Sequence, residues 1–304
     1  MSILSNPFFY APAGAAYTPT TKGIFAFGNI GSGGYVSMSN LVSNTGVIAA
    51  DVSGSESVGY RAGTTYGGDL CLFWGGAPAP INTVSLVSNT GVVASASTGG
   101  GTARYASSAT TYGVDTAIIG YGYSGGATSI SNLVSNIGAI SADVTGVGQV
   151  RINLAACAYG EDKGIFGFGA DGGGSVFYSM TNLISNSGVV ASDTTGVGTA
   201  RGYLGACTYG DDKGIFAKGT GGNNMSNLVS NTGVISADIT GVGTARPGLT
   251  ACGYGSDKGI FAYGRPSGFT AVSNLVSNSG VVSADVTGVG TARAYLSAAG
   301  YSTA

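Results

Sequence analysis

Asn274–Gly280 reads NLVSNSG, and the phrase returns five times earlier in the chain. It is NLVSNTG at Asn40–Gly46 and Asn227–Gly233, SLVSNTG at Ser85–Gly91, NLVSNIG at Asn132–Gly138 and NLISNSG at Asn182–Gly188. Its first residue falls at 40, 85, 132, 182, 227 and 274, so the spacings are 45, 47, 50, 45 and 47. Periods of this length belong to propellers, solenoids and arrays of supersecondary units. A residue that recurs in every copy is then a scaffold candidate before it is a site candidate.

Working outward from this phrase, the last full copy supplies the rest of the unit. From Arg246 it reads RPGLTACGYG, SDKGIFAYG, the loop RPSGF, TAVSNLVSNSG and VVSADVTGVGTA. Each apolar run is short, carries β-branched or aromatic residues, and is bounded by Gly, Ser, Asn or Asp, which is strand-and-hairpin punctuation. No run sustains the helical period. Four strands are expected per unit. The first (Gly248–Tyr254) is made of small residues suited to a crowded axis. The second (Gly259–Gly264) alternates Phe261 and Tyr263 against Ile260 and Ala262. The third carries Leu275, and a short hairpin at Gly280 leads to the fourth. Repeated radially, such units make an all-β fold, a six-bladed β-propeller of four-stranded antiparallel blades.

Six copies of the last three strands face seven candidates for the first. We expect the C-terminal one, Arg293–Tyr301, to pair into the first blade and close the ring, which removes open edges. Residues 1–20 then form an N-terminal arm and residues 21–304 the propeller. The arm's Phe8, Phe9, Tyr10 and Tyr17 need burial, on a partner subunit or on the propeller itself. In the alternative, the N-terminal run Pro12–Tyr17 supplies the strand.

Composition narrows the function classes. The 304 residues include 56 glycines, 9 % charged and 43 % hydrophobic residues, with a net charge of −2 and no histidine. The 12 lysines and arginines form no basic stripe to neutralise phosphates, so no nucleic-acid partner is expected. No run approaches the 18 apolar residues of a membrane span, and the N-terminus lacks the layout of a secretory signal. Without histidine there is no ordinary general base or Ser–His pair, so no catalytic residue, cofactor or metal is expected. Cys157, Cys207 and Cys252 each lie six residues after Arg151, Arg201 and Arg246, one position in three copies, and read as small buried thiols. Cys71 stands apart on a second strand.

Other conspicuous residues also read as repeat positions. Asp51, Asp143, Asp193, Asp238 and Asp285 are equivalent, and Arg151, Arg201, Arg246 and Arg293 follow the last four by eight residues. The structural expectation is a fork-like pair joining the fourth strand of one blade to the first strand of the next; the functional one is a ring of charge around a channel. Glu161–Asp162 and Asp211–Asp212 beside lysines suit solvated turns better than a calcium loop. The repeated GVG lacks the context of a phosphate loop.

The order of these pieces (TARAYLSAAGY, KGIFAFG, SNLVSNTG) resembles the kelch repeat, which implies a propeller. The kelch double glycine survives only at Gly75 and Gly76, and its later tryptophan is missing, the sole Trp being Trp74 on a second strand. Trp74 is expected in the slot of Phe27, Tyr121, Phe168 and Tyr263. Kelch-type copper oxidases rely on histidine, so their chemistry does not carry over. The phrase GIFAFG…NLVSNTGVVSADVTGVGTAR also resembles repeat proteins of marine bacteriophages that look like virion structural or tail proteins. That resemblance implies a non-catalytic structural or appendage component of a virion, with other virion proteins or copies of itself as partners.

What differs between copies is the loop from second to third strand. Its aromatic and charged residues include Tyr35, Tyr123, Asp171, Phe177, Tyr178, Arg265 and Phe269. Loops on a rigid scaffold are where recognition sits, and aromatic rims suit glycans or proteins. The alternative function is therefore a carbohydrate- or protein-binding propeller for host-surface recognition; a glycan-active enzyme ranks third.

Overall fold

The computed structural model describes residues 18–304 apart from 33, 222 and 223. The arm residues Phe8, Phe9, Tyr10 and Tyr17 and the candidate strand Pro12–Tyr17 lie outside the described residues. The described chain is all-β and propeller-like, six antiparallel sheets in succession. Sheet one holds β1 (Lys22–Ala26) and β2 (Ser39–Val42). Sheet two holds β3 (Ala62–Tyr66), β4 (Leu70–Trp74), β5 (Thr83–Val87) and the two-residue β6 (Ser97–Thr98). Sheet three holds β7 (Ser108–Tyr112), β8 (Thr116–Gly120) and β9 (Ser131–Val134). Sheet four holds β10 (Ala155–Tyr159), β11 (Lys163–Gly167) and β12 (Thr181–Ile184). Sheet five holds β13 (Gly205–Tyr209), β14 (Lys213–Ala217) and β15 (Ser226–Val229). Sheet six holds β16 (Thr250–Tyr254), β17 (Lys258–Ala262) and β18 (Ser273–Val276). The last strand, β19 (Ser297–Tyr301), pairs with β1 from Lys22↔Tyr301 to Ala26↔Ser297.

Four strands per sheet was the expectation, and among the described residues only sheet two has a fourth. Elsewhere the return run touches the third strand at two bridges, such as Ser39↔Val52 and Val42↔Ile48. The repeated asparagine explains the gap. Asn40 Nδ2 donates to Ala49 O at 2.9 Å, and Asn132, Asn182, Asn227 and Asn274 do the same to Ser141, Ala191, Ser236 and Ser283. A side-chain amide thus occupies a carbonyl between the bridges, a local bond that competes with a ladder.

The core lies between sheets. Each middle strand is buried on both faces, and its period-two alternation sends successive side chains to opposite neighbours. Phe25 packs with Ile260 and Tyr263 of sheet six, whereas Ile24 packs with Cys71 and Phe73 of sheet two. Burying each such side chain stabilises by roughly 1.5–3 kcal/mol. Cys157, Cys207 and Cys252 are free, buried thiols, each seated on a glycine of the following sheet (Gly214, Gly259, Gly23). A Cβ on any of those glycines would come within 2.5 Å of the sulfur.

Register corrects one assignment. Trp74 pairs with Ala62, so it stands level with Ala26 and Ala262, one place before the aromatic slot. The slot itself has positive φ (Phe27 65°, Tyr121 64°, Phe168 63°, Lys218 62°, Tyr263 63°), and Gly75 at 73° fills it in sheet two. The indole reaches the same space: the Arg104 guanidinium lies 4.7 Å from its centroid, as Arg151 does over Tyr121.

The innermost strands stand side by side in cyclic order, with β19 against both β16 and β3. Backbone hydrogen bonds follow that order at both strand ends. At one end Tyr60 N–H donates to Tyr295 O, Ala106 to Tyr60, Asn153 to Ala106, Tyr203 to Asn153, Gly248 to Tyr203 and Tyr295 to Gly248, all at 2.8–3.0 Å. At the other end Gly67, Gly113, Gly160, Gly210, Gly255 and Ser302 donate to Asp115, Asp162, Asp212, Asp257, Thr21 and Asp69.

Candidate functional site

The repeated polar residues come together first, and they prove internal. Asn40, Asn132, Asn182, Asn227 and Asn274 are fully buried, as are Arg104, Arg151, Arg201, Arg246 and Arg293. In sheet five, Arg201 Nη2 donates to Asn227 Oδ1 (2.6 Å), and Asn227 Nδ2 donates to Asp238 Oδ1 (3.0 Å). Asp238 also receives Thr199 Oγ1–H and N–H at 2.7 and 2.9 Å. Four ion pairs recur at 3.5–3.8 Å: Arg104–Asp143, Arg201–Asp238, Arg246–Asp285 and Arg293–Asp51. Each joins the start and end of one sheet, which corrects the expectation of a pair eight residues apart linking neighbouring sheets. The link between sheets runs instead through the guanidinium faces. Arg61, Arg151, Arg201 and Arg293 lie over Phe27, Tyr121, Phe168 and Tyr263 of the preceding sheet. Burial opposes ionisation of Asp51, Asp143, Asp238 and Asp285, but bonds from Thr and Asn and the Arg charge outweigh it and hold these carboxyls below their usual range. Burial pushes Arg201 and Arg246 down to about 10, which leaves them cationic at neutral pH. These groups are committed to holding the fold.

The residues that differ between copies gather elsewhere, on the end of the inner strands that carries the second-to-third-strand loops. Tyr60, Ala106, Asn153, Tyr203, Gly248 and Tyr295 occupy one position in six copies, all with φ of 53–69°. Their hydrogen-bonded ring over-determines a backbone conformation that costs non-glycine residues of order 1 kcal/mol or more each. Aromatic rings form a continuous line across this end. Tyr123–Tyr105 centroids are 5.1 Å apart, Tyr105–Tyr60 6.1 Å, Tyr60–Tyr295 4.5 Å with planes 12° apart, and Tyr295–Tyr203 5.8 Å. Burial and neighbouring phenols raise Tyr60, and burial is also the main cause for Tyr35, Tyr105 and Tyr203, so all four stay neutral at working pH.

Of the loop residues expected to bind, Tyr35 packs on Gly59, Tyr123 joins the tyrosine line, and Phe177 covers Gly202 beside Ile152 and Ala170. Arg265 lies 5.1 Å over Phe269, whose ring touches Gly31 of the first loop. Asp171 bonds within its own loop, and Tyr178 is held there through its backbone. Asp171 Oδ1 accepts the N–H groups of Ser175 (2.7 Å) and Val176 (3.0 Å), and Tyr178 N–H donates to Gly169 O. Tyr60, Tyr105, Tyr203, Tyr295 and Asn153 were missed by the loop reading. Their signal was the unlike position inside an otherwise repeated strand.

Below the tyrosines lies an axial cavity of about 110 Å³ lined by all six inner strands, and at the opposite end one of about 100 Å³ ringed by threonines. They meet at Gly63, Ala109, Ala156, Ala251 and Ala298, the small residues expected at a crowded axis. Ligand pockets typically measure about 300–1,000 Å³. This mouth is therefore a platform on which a ring can stack, rather than a cleft that engulfs a substrate. Among the described residues lining it there is no carboxylate, and no group of three His, Cys, Asp or Glu able to hold a metal occurs among the described residues. Among the described residues no helix is long and apolar enough to cross a membrane. No protein-family model matches the chain, and no curated protein matches it.

Proposed function

We propose that the six sheets are the blades of a closed six-bladed propeller, and that the molecule is a non-catalytic structural or appendage component of a phage particle. It docks against other particle proteins or copies of itself and displays its variable face. One observation carries this reading: the repeated Arg, Asn and Asp side chains are engaged in holding sheets, while the unlike aromatic residues collect on a single face. The cyclic hydrogen bonds that include Thr21, Tyr295 and Ser302 support closure. Mass spectrometry of density-purified particles from the source that encodes the chain tests it. Stoichiometric recovery is expected, and absence from particles sinks the reading.

The tyrosine line favours a second reading, a lectin-like platform for host-surface glycans. Stacked phenols offer apolar faces for a sugar ring and hydroxyls for its polar edge. A glycan array probed with the wild type and with Tyr295→Ala and Phe177→Ala separates the two. Loop- and tyrosine-dependent binding promotes the lectin, and a blank array with well-folded protein removes it.

A further inference from the structure

The junction between sheets one and two departs from the repeat. Elsewhere the link from aspartate to the next inner strand reads DVTGVGQVR (143–151), DTTGVGTAR (193–201), DITGVGTAR (238–246) or DVTGVGTAR (285–293). After Asp51 it reads DVSGSESVG before Tyr60, one residue shorter, with Ser55 and Glu56 in place of the GVG valine and second glycine. In the four regular links that glycine (148, 198, 243, 290) presses onto the next sheet, and a Cβ there would sit 2.2–2.4 Å from an aspartate Oδ1. Sheet two offers no such aspartate, because Ala96 stands in its place, Ser85 replaces the hub asparagine and Val58 the arginine. The link stands off, and a cavity of about 310 Å³ opens, lined by Phe27, Leu41, Val52, Val93, Ser55 and Glu56 among others.

We propose that this cavity binds a small neutral molecule with an aliphatic body and a hydroxyl head. A dry cavity of about 150 Å³ accepts benzene, so twice that volume holds roughly ten non-hydrogen atoms. Glu56 sets the head group. Its carboxylate takes Arg61 Nη1 at 2.9 Å, Thr83 Oγ1–H at 3.1 Å and Ser85 Oγ–H at 3.4 Å. A carboxylate has about four acceptor sites, so one remains for a ligand donor. Thr83 and Ser85 each accept from Arg61 and donate to Glu56, so their hydrogens are not available to a ligand acceptor. The Arg61 charge cancels that of Glu56, which favours a neutral donor over an ammonium, and the exposed edge of the carboxylate repels an anion.

Cyclohexanol is the probe, titrated into the whole chain and followed by methyl NMR. Saturable shifts at Leu41, Val52 and Val93 are expected, with none from cyclohexanecarboxylate. Ser55→Val restores the repeat's own residue, fills the space and weakens binding by about tenfold or more. Ala94→Leu narrows the cavity from its other side and serves should Ser55→Val unfold. Absence of saturable shifts in the wild type, unchanged binding in the filled variants, or equal binding of the carboxylate overturns the proposal.

Discussion

Replacing Arg201 with methionine tests the claim that buried guanidinium groups organise the fold. The side chain is wholly inaccessible. Its Nε donates to Lys218 O at 2.9 Å, Nη1 to Thr199 O at 3.0 Å and Nη2 to Asn227 Oδ1 at 2.6 Å. Asp238 lies 3.8 Å away and the plane sits 4.2 Å over Phe168. Methionine keeps most of the volume and its contact with Phe168, so little cavity penalty arises. What remains is three acceptors without their donor and a carboxylate without its cation. Removing one partner of a buried pair costs about 3–5 kcal/mol. Asp238 is part-exposed and recovers some hydration, so about 4 kcal/mol is the expected loss. With about 2.1 cal/mol/K of unfolding entropy per residue, that lowers the melting temperature of a chain this size by about 6 °C. Thermal and urea unfolding of Arg201→Met beside the exposed-loop variant Arg265→Met is the assay. The loop variant should stay within about 0.5 kcal/mol of wild type. A loss at Arg201 as small as that refutes the organising role.

Three further outcomes are expected. Lys218 is almost fully buried in the aromatic slot, and burial together with Arg246 pushes its ammonium down to about 8 from 10.5. Between those pH values the unfolded chain holds a proton that the folded chain has lost, so stability rises with pH there and is flat in this term below 8. Subtracting the pH profile of Lys218→Phe from that of wild type isolates the rise; a difference that does not change across the window refutes it. Gly248→Ala places a Cβ 2.8 Å from the Tyr295 ring at a φ of +69°. A destabilisation of about 1–3 kcal/mol follows, together with altered near-ultraviolet dichroism from the displaced stack; neutrality in both measurements counts against the tight ring. Burial pushes the Cys157 and Cys252 thiols up to about 12 and raises Cys71 and Cys207 well above their usual value. Ellman's reagent should therefore find four thiols in denaturant and essentially none in the native protein, and rapid native labelling excludes the packed arrangement.

The six sheets were legible because NLVSNTG carries hairpin chemistry at a fixed period. The failure over the fourth strand came from the same phrase. Its asparagine was read as a marker, whereas its amide reaches across to the return run and replaces the ladder there. The Arg–Asp pairing was misjudged because distance was counted along the chain; Arg201 meets Asp238, 37 residues on, since one opens a sheet and the other closes it. The site was half legible. Variable loops pointed to Tyr35, Tyr123 and Phe177, but Tyr60, Tyr203 and Tyr295 sit in strands assigned to a crowded axis, where only a comparison of copies reveals that one position is unlike the rest. Asp171 and Arg265 are equally conspicuous in sequence, yet one carboxylate oxygen of the first is taken by its own loop and the second stands at the rim.

The pairing of β19 with β1 has a consequence for synthesis. Thr21 and Ser302, hydrogen-bonded at this seam, are 281 residues apart. At about 5–20 residues per second, a ribosome makes the first of them about 15–55 s before the second. Throughout that interval β1 presents Ile24 and Phe25 without the strand that will later lie beside them. Five sheets have their partners within one repeat and can assemble as they emerge. The first must wait for β19, so a chain interrupted within the sixth repeat is left with its opening strand exposed. Quality control in the producing cell would then read the arrival of β19 directly as loss of that edge.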